Sequence, residues 1–178
     1  MSDKIVRSVV GLLPENKIPG LEDFRQEHIH HPGKDVPFHI TLMQNFFVPA
    51  ELTDVVEKKL EDIAASENKF EITAQPLSSF PTTRALYLTP TPVGPIERLN
   101  DKLFTAFPEF RGAGKGYPVY HMTIALGYED EKTVVSEFIK QFGYKSMELK
   151  AGSLAVFCEC DDGKWKVYKD YPLGGSDD

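Results

Sequence analysis

The chain has 178 residues, 41% of them apolar and 26% charged, with 27 acidic against 20 basic side chains and a net charge of −7. That length supports a hydrophobic core without disulfides or metals, and the composition excludes a disordered chain and a membrane protein. The acidic balance argues against a grip on long duplex nucleic acid, which needs a basic surface, and leaves short fragments, ends or nucleotides.

The N-terminal MSDKIVRSVVGLLPENK carries an apolar run too short, and too interrupted by Arg7, for a membrane span; residues 4–13 read as a first strand. A stretch rich in Pro, Gly, His and charge continues to Val36, with a short helix around LEDFRQEH. PFHITLM (37–43) is a second strand. ELTDVVEKKLEDIAAS then places Leu52, Val55, Val56, Leu60 and Ile63 at helical spacing after Pro49. KFEITAQPLSSF and RALYLTP are two strands. IERLNDKLFTAF is a helix after Pro95, with Ile96, Leu99, Leu103 and Phe107 on one face.

A glycine-rich loop, PEFRGAGKGYP, leads into the strand YHMTIALGY, and EDEKTVVSEFIKQFG is a helix with an acidic start that Gly143 stops. SMELKAGSLAVFCEC and KWKVYKDYPL flank Asp161-Asp162-Gly163, a hairpin turn signal. Cys158 and Cys160 lie two apart and share a strand face, where a disulfide would be strained, so a reducing, cytoplasmic compartment is expected. No linker divides the chain, and residues 1–178 are expected to form a single domain of two lobes. Its two halves echo one another loosely, each carrying a strand with histidine and threonine two apart, followed by a helix.

Those two strands carry the chemistry. In PFHITLM, alternation sends Phe38, Ile40 and Leu42 to the core and His39 with Thr41 to the other face; in YHMTIALGY it buries Tyr120, Met122 and Ile124 and presents His121 with Thr123. One such match is more often a strand histidine beside a β-favouring threonine. For two of five histidines to be followed by apolar, Thr, apolar is a coincidence on the order of one in a thousand. In-line displacement at phosphorus profits from two proton-transfer groups on opposite sides of the phosphoryl group, and a pair of imidazoles supplies both without a metal. Two threonine hydroxyls on the same faces can donate to the non-bridging oxygens.

The paired HITL and HMTI, the second preceded by a glycine-rich loop and followed by a helix and closing strands, resemble the 2H phosphoesterase superfamily. That superfamily includes the 2'-5' RNA ligase-like proteins and the 2',3'-cyclic nucleotide phosphodiesterases. The resemblance implies an α+β fold: bilobal, with pseudo-two-fold duplicated antiparallel sheets, helices on the outer faces and a central cleft. It implies His39 and His121 as acid and base, Thr41 and Thr123 as phosphate ligands, and a small nucleotide or RNA end as substrate, without cofactor, metal or membrane. Its cyclic phosphodiesterases imply His121 as the base and His39 as the acid, while symmetry leaves the opposite assignment open.

Further substrate contacts are candidates only. Arg111 and Lys115 in the glycine-rich loop could reach a phosphate, although the loop lacks the G-x-x-x-x-G-K-[ST] spacing of a nucleotide-triphosphate site and leads into a strand. Tyr117 and Tyr128 could stack a base, with Phe46 another flanking aromatic, and Arg84 stands at a strand start. His28, His30 and His31 fit no metal-ligand spacing, and a solvated loop accounts for them. A binding module that holds a phosphorylated nucleotide or RNA end without turnover uses the same residues and is the alternative reading.

Overall fold

In this computed structural model residues 5–30, 35–111 and 119–174 are described. In chain order they form β1 (Ile5–Pro14), α1 (Leu21–His28), β2 (Ile40–Phe46), α2 (Asp54–Ala65), β3 (Glu71–Phe80), β4 (Ala85–Thr91), α3 (Gly94–Ala106), β5 (Met122–Leu126), α4 (Glu131–Phe142), β6 (Met147–Cys160) and β7 (Trp165–Pro172). The elements follow the expected order with small shifts of boundary, two of which matter here. Helix α2 starts at Asp54 rather than after Pro49, because the Thr53 hydroxyl accepts from the Val56 amide and caps it, leaving Pro49–Glu51 as a separate 3₁₀ turn. Leu52 therefore lies outside the helix and Val55 is 67% exposed, while Leu60, Ile63 and Ala64 form the buried face.

The second shift concerns the histidines. Strands β2 and β5 each begin one residue after the histidine of their motif, so both imidazoles stand at a strand entrance.

The strand order is β2-β1-β6-β3-β4-β5, with β7 paired to β6, all antiparallel; the sheet curls into a half-barrel. Chain order and sheet order together show the duplication. Each half reads strand, helix, motif strand, helix, strand (β1-α1-β2-α2-β3, then β4-α3-β5-α4-β6), and the sheet order is a palindrome in which β2 answers β5, β1 answers β4 and β6 answers β3. The third strand of each half pairs with the first strand of the other, so each lobe draws on both halves of the sequence.

Strand alternation divides the sheet into two faces. Val10 and Leu12 of β1, Ile40 and Leu42 of β2, Met122 and Ile124 of β5, and Leu154 and Val156 of β6 join the main core, which includes Phe24 of α1, Leu60 of α2, Leu99 of α3 and Phe138 of α4. On the opposite face Val9, Leu13, Ala155, Phe157 and Trp165 gather with Val36 in a smaller apolar cluster beside the first motif. The hairpin between β6 and β7 turns at Gly163 in the left-handed region (φ 79°), with its amide on the Cys160 carbonyl at 2.9 Å. Cys158 and Cys160 are free and buried. No helix among the described residues is long and apolar enough to cross a membrane.

Candidate active site

The His39 imidazole is fixed from both ends. Its Nδ1 donates to the Pro37 carbonyl at 2.7 Å, which leaves Nε2 as the acceptor, and the Thr41 hydroxyl donates to Nε2 at 3.0 Å. The ring packs on Phe157 of β6 with centroids 4.8 Å apart. Beneath it lies Gly11 of β1, the register partner of Thr41; a Cβ at that position would stand 2.6 Å from the Phe157 ring, 3.1 Å from the His39 ring and 3.1 Å from the Ile40 carbonyl oxygen. The glycine is what lets the histidine sink onto the sheet. Burial pushes His39 down to about 4 against the raising effect of its Pro37 bond, and the positive charges of Arg25 and His121 push the same way as burial. His39 is neutral at pH 7.

His121 repeats the anchor. Its Nδ1 donates to the Val119 carbonyl at 2.8 Å, again two residues back, so Nε2 is the atom left for chemistry. Its bed differs. Tyr87 of β4, the register partner of Thr123, and Phe80 of β3 stack on one another at 4.3 Å, and the His121 ring meets both at 5.4 and 5.2 Å. Tyr87 thus occupies the place that Gly11 holds in the other half, and Phe80 that of Phe157.

Both motif strands border the sheet, and a buried side chain from the helix of the opposite half fastens each. Asn100 of α3 donates to the Leu42 carbonyl of β2 at 2.6 Å. Arg25 of α1, 2% exposed, donates through Nε to the Thr123 carbonyl of β5 at 3.0 Å and through a terminal nitrogen to the Val36 carbonyl at 2.9 Å. Its other terminal nitrogen pairs with Glu22, whose second oxygen accepts from the Phe38 amide at 2.9 Å. One guanidinium therefore ties together the approaches to both histidines. Desolvation lowers the Arg25 value from that of a free guanidinium and Glu22 opposes the shift. Sequence reasoning missed Arg25, Asn100 and Gly11; only Gly11, a glycine inside the apolar run VVGLL, left a signal.

A hollow of about 240 Å³ opens at His39 and Thr41, lined also by Arg7, Val9, Val36, Gln44, Asn45 and Trp165. Larger surface hollows lie along α2 and beside Tyr171, and neither is lined by a residue of the two motifs.

The remaining candidates are placed less favourably. Tyr128 is 4% exposed in the main core, so its ring is not open to stack a base. Phe46 is buried among Phe47, Phe107 and Phe110. Arg84 is exposed and in the left-handed region (φ 50°), and its carbonyl accepts from the Gly127 amide at the end of β5 away from His121. Arg111 is exposed and lies over the Phe104 ring at 5.8 Å. Lys115, Tyr117 and His31 lie outside the described residues. His28 stacks on Phe24 and faces Glu137 at 3.3 Å, while the His30 amide donates to the Leu126 carbonyl.

Comparison with known proteins shows the family of the chain. The sequence matches the 2'-5' RNA ligase superfamily over residues 13–157. The chain belongs to that superfamily. A protein of Geobacillus sp. (strain WCH70) named "Putative phosphoesterase GWCH70_0799" is 23% identical over 172 residues, covering 94% of this chain and 96% of that one. Among solved structures, TT0787 of Thermus thermophilus has a TM-score of 0.64 at 16% identity, covering 96% of this chain and 100% of its own. E. coli LigT in apo form has a TM-score of 0.60 at 14% identity, covering 98% and 100%. At such identities the two structures speak for the fold, the curled α+β arrangement of this superfamily.

Proposed function

We propose that the protein is a phosphodiesterase, working without a metal, that opens a 2',3'-cyclic phosphate or cleaves a 2'-5' linkage at a nucleotide or RNA end, with His39 and His121 as its acid–base pair. The observation that carries this reading is the repeated anchor: two imidazoles, each held through Nδ1 by the carbonyl two residues back, each with Nε2 left for chemistry and a threonine two residues on. Membership of the superfamily supports it. E. coli LigT, which shares the fold, has been crystallised in complex with 3'-AMP and with ATP, which supports a nucleotide-sized substrate.

His39, neutral at pH 7, suits the base, and His121 then supplies the proton; this reverses the assignment that the cyclic phosphodiesterases imply. As the phosphate enters, the Thr41 hydroxyl turns from His39 Nε2 to a non-bridging oxygen, and Nε2 is released to accept from water. His39 takes the proton of the attacking water, the water oxygen bonds to phosphorus, the bond from phosphorus to the ribose oxygen breaks, and that oxygen takes the proton of His121 Nε2–H. Thr123 donates to the second non-bridging oxygen, whose charge changes at the transition state.

The test is hydrolysis of 2',3'-cyclic AMP in EDTA, followed by phosphorus NMR. The wild-type chain is expected to convert the substrate with a bell-shaped pH dependence, and His39→Ala and His121→Ala each to lower kcat/KM by about 10²–10⁴-fold. Saturable binding with an unchanged spectrum would instead make the protein a binding module. Wild-type rates in both variants would remove the acid–base pair.

A further inference from the structure

The hollow beside His39 contains more than a phosphate site needs. Its chemical end is His39 with Thr41, and its far wall is the indole of Trp165, half-buried and packed against the apolar cluster of Val36, Ala155 and Phe157. The Arg7 guanidinium lies over that indole at 5.2 Å and is itself paired with Glu159, which holds the ring in place. Between wall and chemistry stand two exposed amides, Gln44 and Asn45.

Asn45 is there through a local irregularity of β2. Ser8 of β1 faces Phe46 while the next residue, Val9, faces Gln44, so Asn45 is the extra residue of a β-bulge. It adopts φ 53°, in the left-handed region that non-glycine residues seldom enter. Such bulges re-aim a side chain, and Asn45 lines the hollow.

An aromatic platform, two amides that each offer a donor and an acceptor, and an apolar floor of Val9 and Val36 match a flat heterocycle with polar edges. We infer that this hollow is a nucleobase subsite: the base displaces the exposed Arg7 guanidinium from the Trp165 ring and stacks in its place, Gln44 and Asn45 contact the base edge, and the attached phosphate lies at Thr41 and His39. The inference rests on the proposed function for the position of the phosphate. On the His121 side Phe80 and Tyr87 stack on each other and the imidazole lies against both. The inferred base site is on the side of the proposed general base.

Trp165 is the single tryptophan of the chain, so its emission reports on the subsite directly. Titration with 3'-AMP is expected to quench it saturably, and ribose 5-phosphate at equal concentration is not. Trp165→Leu should weaken binding of 3'-AMP, read by calorimetry, by roughly 5- to 100-fold, and Trp165→Phe should recover most of it. Asn45→Ala and Gln44→Ala should alter the ratio of affinities for 3'-AMP and 3'-UMP, a readout that a general loss of folding would not produce. Equal quenching by ribose 5-phosphate, or unchanged 3'-AMP affinity in folded Trp165→Leu, overturns the subsite whatever the hydrolytic assay shows. If 3'-AMP binds as expected and no cyclic nucleotide is turned over, the subsite stands and the proposed hydrolysis falls.

Discussion

The two halves of the molecule present the same four-residue motif on different beds. Where β1 places Gly11 under Thr41, β4 places Tyr87 under Thr123; where β6 supplies Phe157, β3 supplies Phe80. A missing side chain lets His39 settle against the sheet, lose solvent and fall to about 4, with an open hollow beside it. In the other half a tyrosine fills the equivalent space and His121 rests against two ring edges. A duplicated fold supplies two like imidazoles, and one position in the strand beneath gives them different surroundings. That is the asymmetry acid–base catalysis requires, since one partner must take a proton while the other gives one.

The comparison breaks most visibly at the histidines. Each alanine variant is expected to lose about 10²–10⁴-fold in kcat/KM on a cyclic nucleotide, and the residual activities should differ in shape. His39→Ala should lose the acid limb of the pH profile and keep the alkaline one, and His121→Ala the reverse. Loss of the same limb in both would mean that the two beds do not separate the roles.

Gly11→Ala tests the bed itself. The added methyl would overlap the Phe157 ring at 2.6 Å and press on His39 and the Ile40 carbonyl, so strand or imidazole must move. A destabilisation of about 1–3 kcal/mol is expected in urea unfolding. Activity should fall further than the unfolded fraction explains, because His39 is lifted from its place above Thr41. The mirror change, Tyr87→Phe, keeps the ring that supports His121 and should leave stability within about 0.5 kcal/mol. A Gly11→Ala protein as stable and active as the wild type would show that the close approach under His39 is dispensable.

How much of this was legible in the sequence follows from how local each signal is. Alternation along PFHITLM and YHMTIALGY identified the core positions correctly, placing Tyr120 in the core with Met122 and Ile124. Tyr128 lies beyond β5, past Gly127 in the left-handed region, so strand alternation does not reach it, and its burial in the core rather than at a stacking position comes from tertiary packing. Arg25 was out of reach: in LEDFRQEH it looks like any helix-surface charge, and only the packing of α1 on β5 brings it to Thr123. Asn100 is hidden in the same way by the packing of α3 on β2. Asn45 needed the register of two strands, because a bulge exists only where both are known. The paired motifs are local signals, and the parts that differentiate them come from long-range pairing.

Arg25 offers the finest test, because it touches both halves and the titration of His39. Its charge lowers His39, though less than burial does. Replacing it by Met removes that charge and the bonds to the Thr123 and Val36 carbonyls; replacing it by Lys keeps a charge but not the fork that reaches both. Both variants should lose stability by roughly 1–3 kcal/mol, since buried carbonyls are left unpaired. Only Arg25→Met should raise the acid limb of kcat/KM, and by less than the whole depression, because desolvation remains. The same sign governs folding. His39 sits at about 4 when folded and near the ordinary 6.5 when unfolded, so between those values the unfolded chain binds more protons and stability rises with pH. Its contribution is complete above pH 6.5 and is lost as the pH falls through 4; replacing His39 by Gln should flatten that slope in urea unfolding between about pH 4.5 and 7. If Arg25→Met and Arg25→Lys leave the acid limb in the same place, the guanidinium acts on His39 through geometry alone, and the lowered imidazole belongs entirely to the glycine bed beneath it.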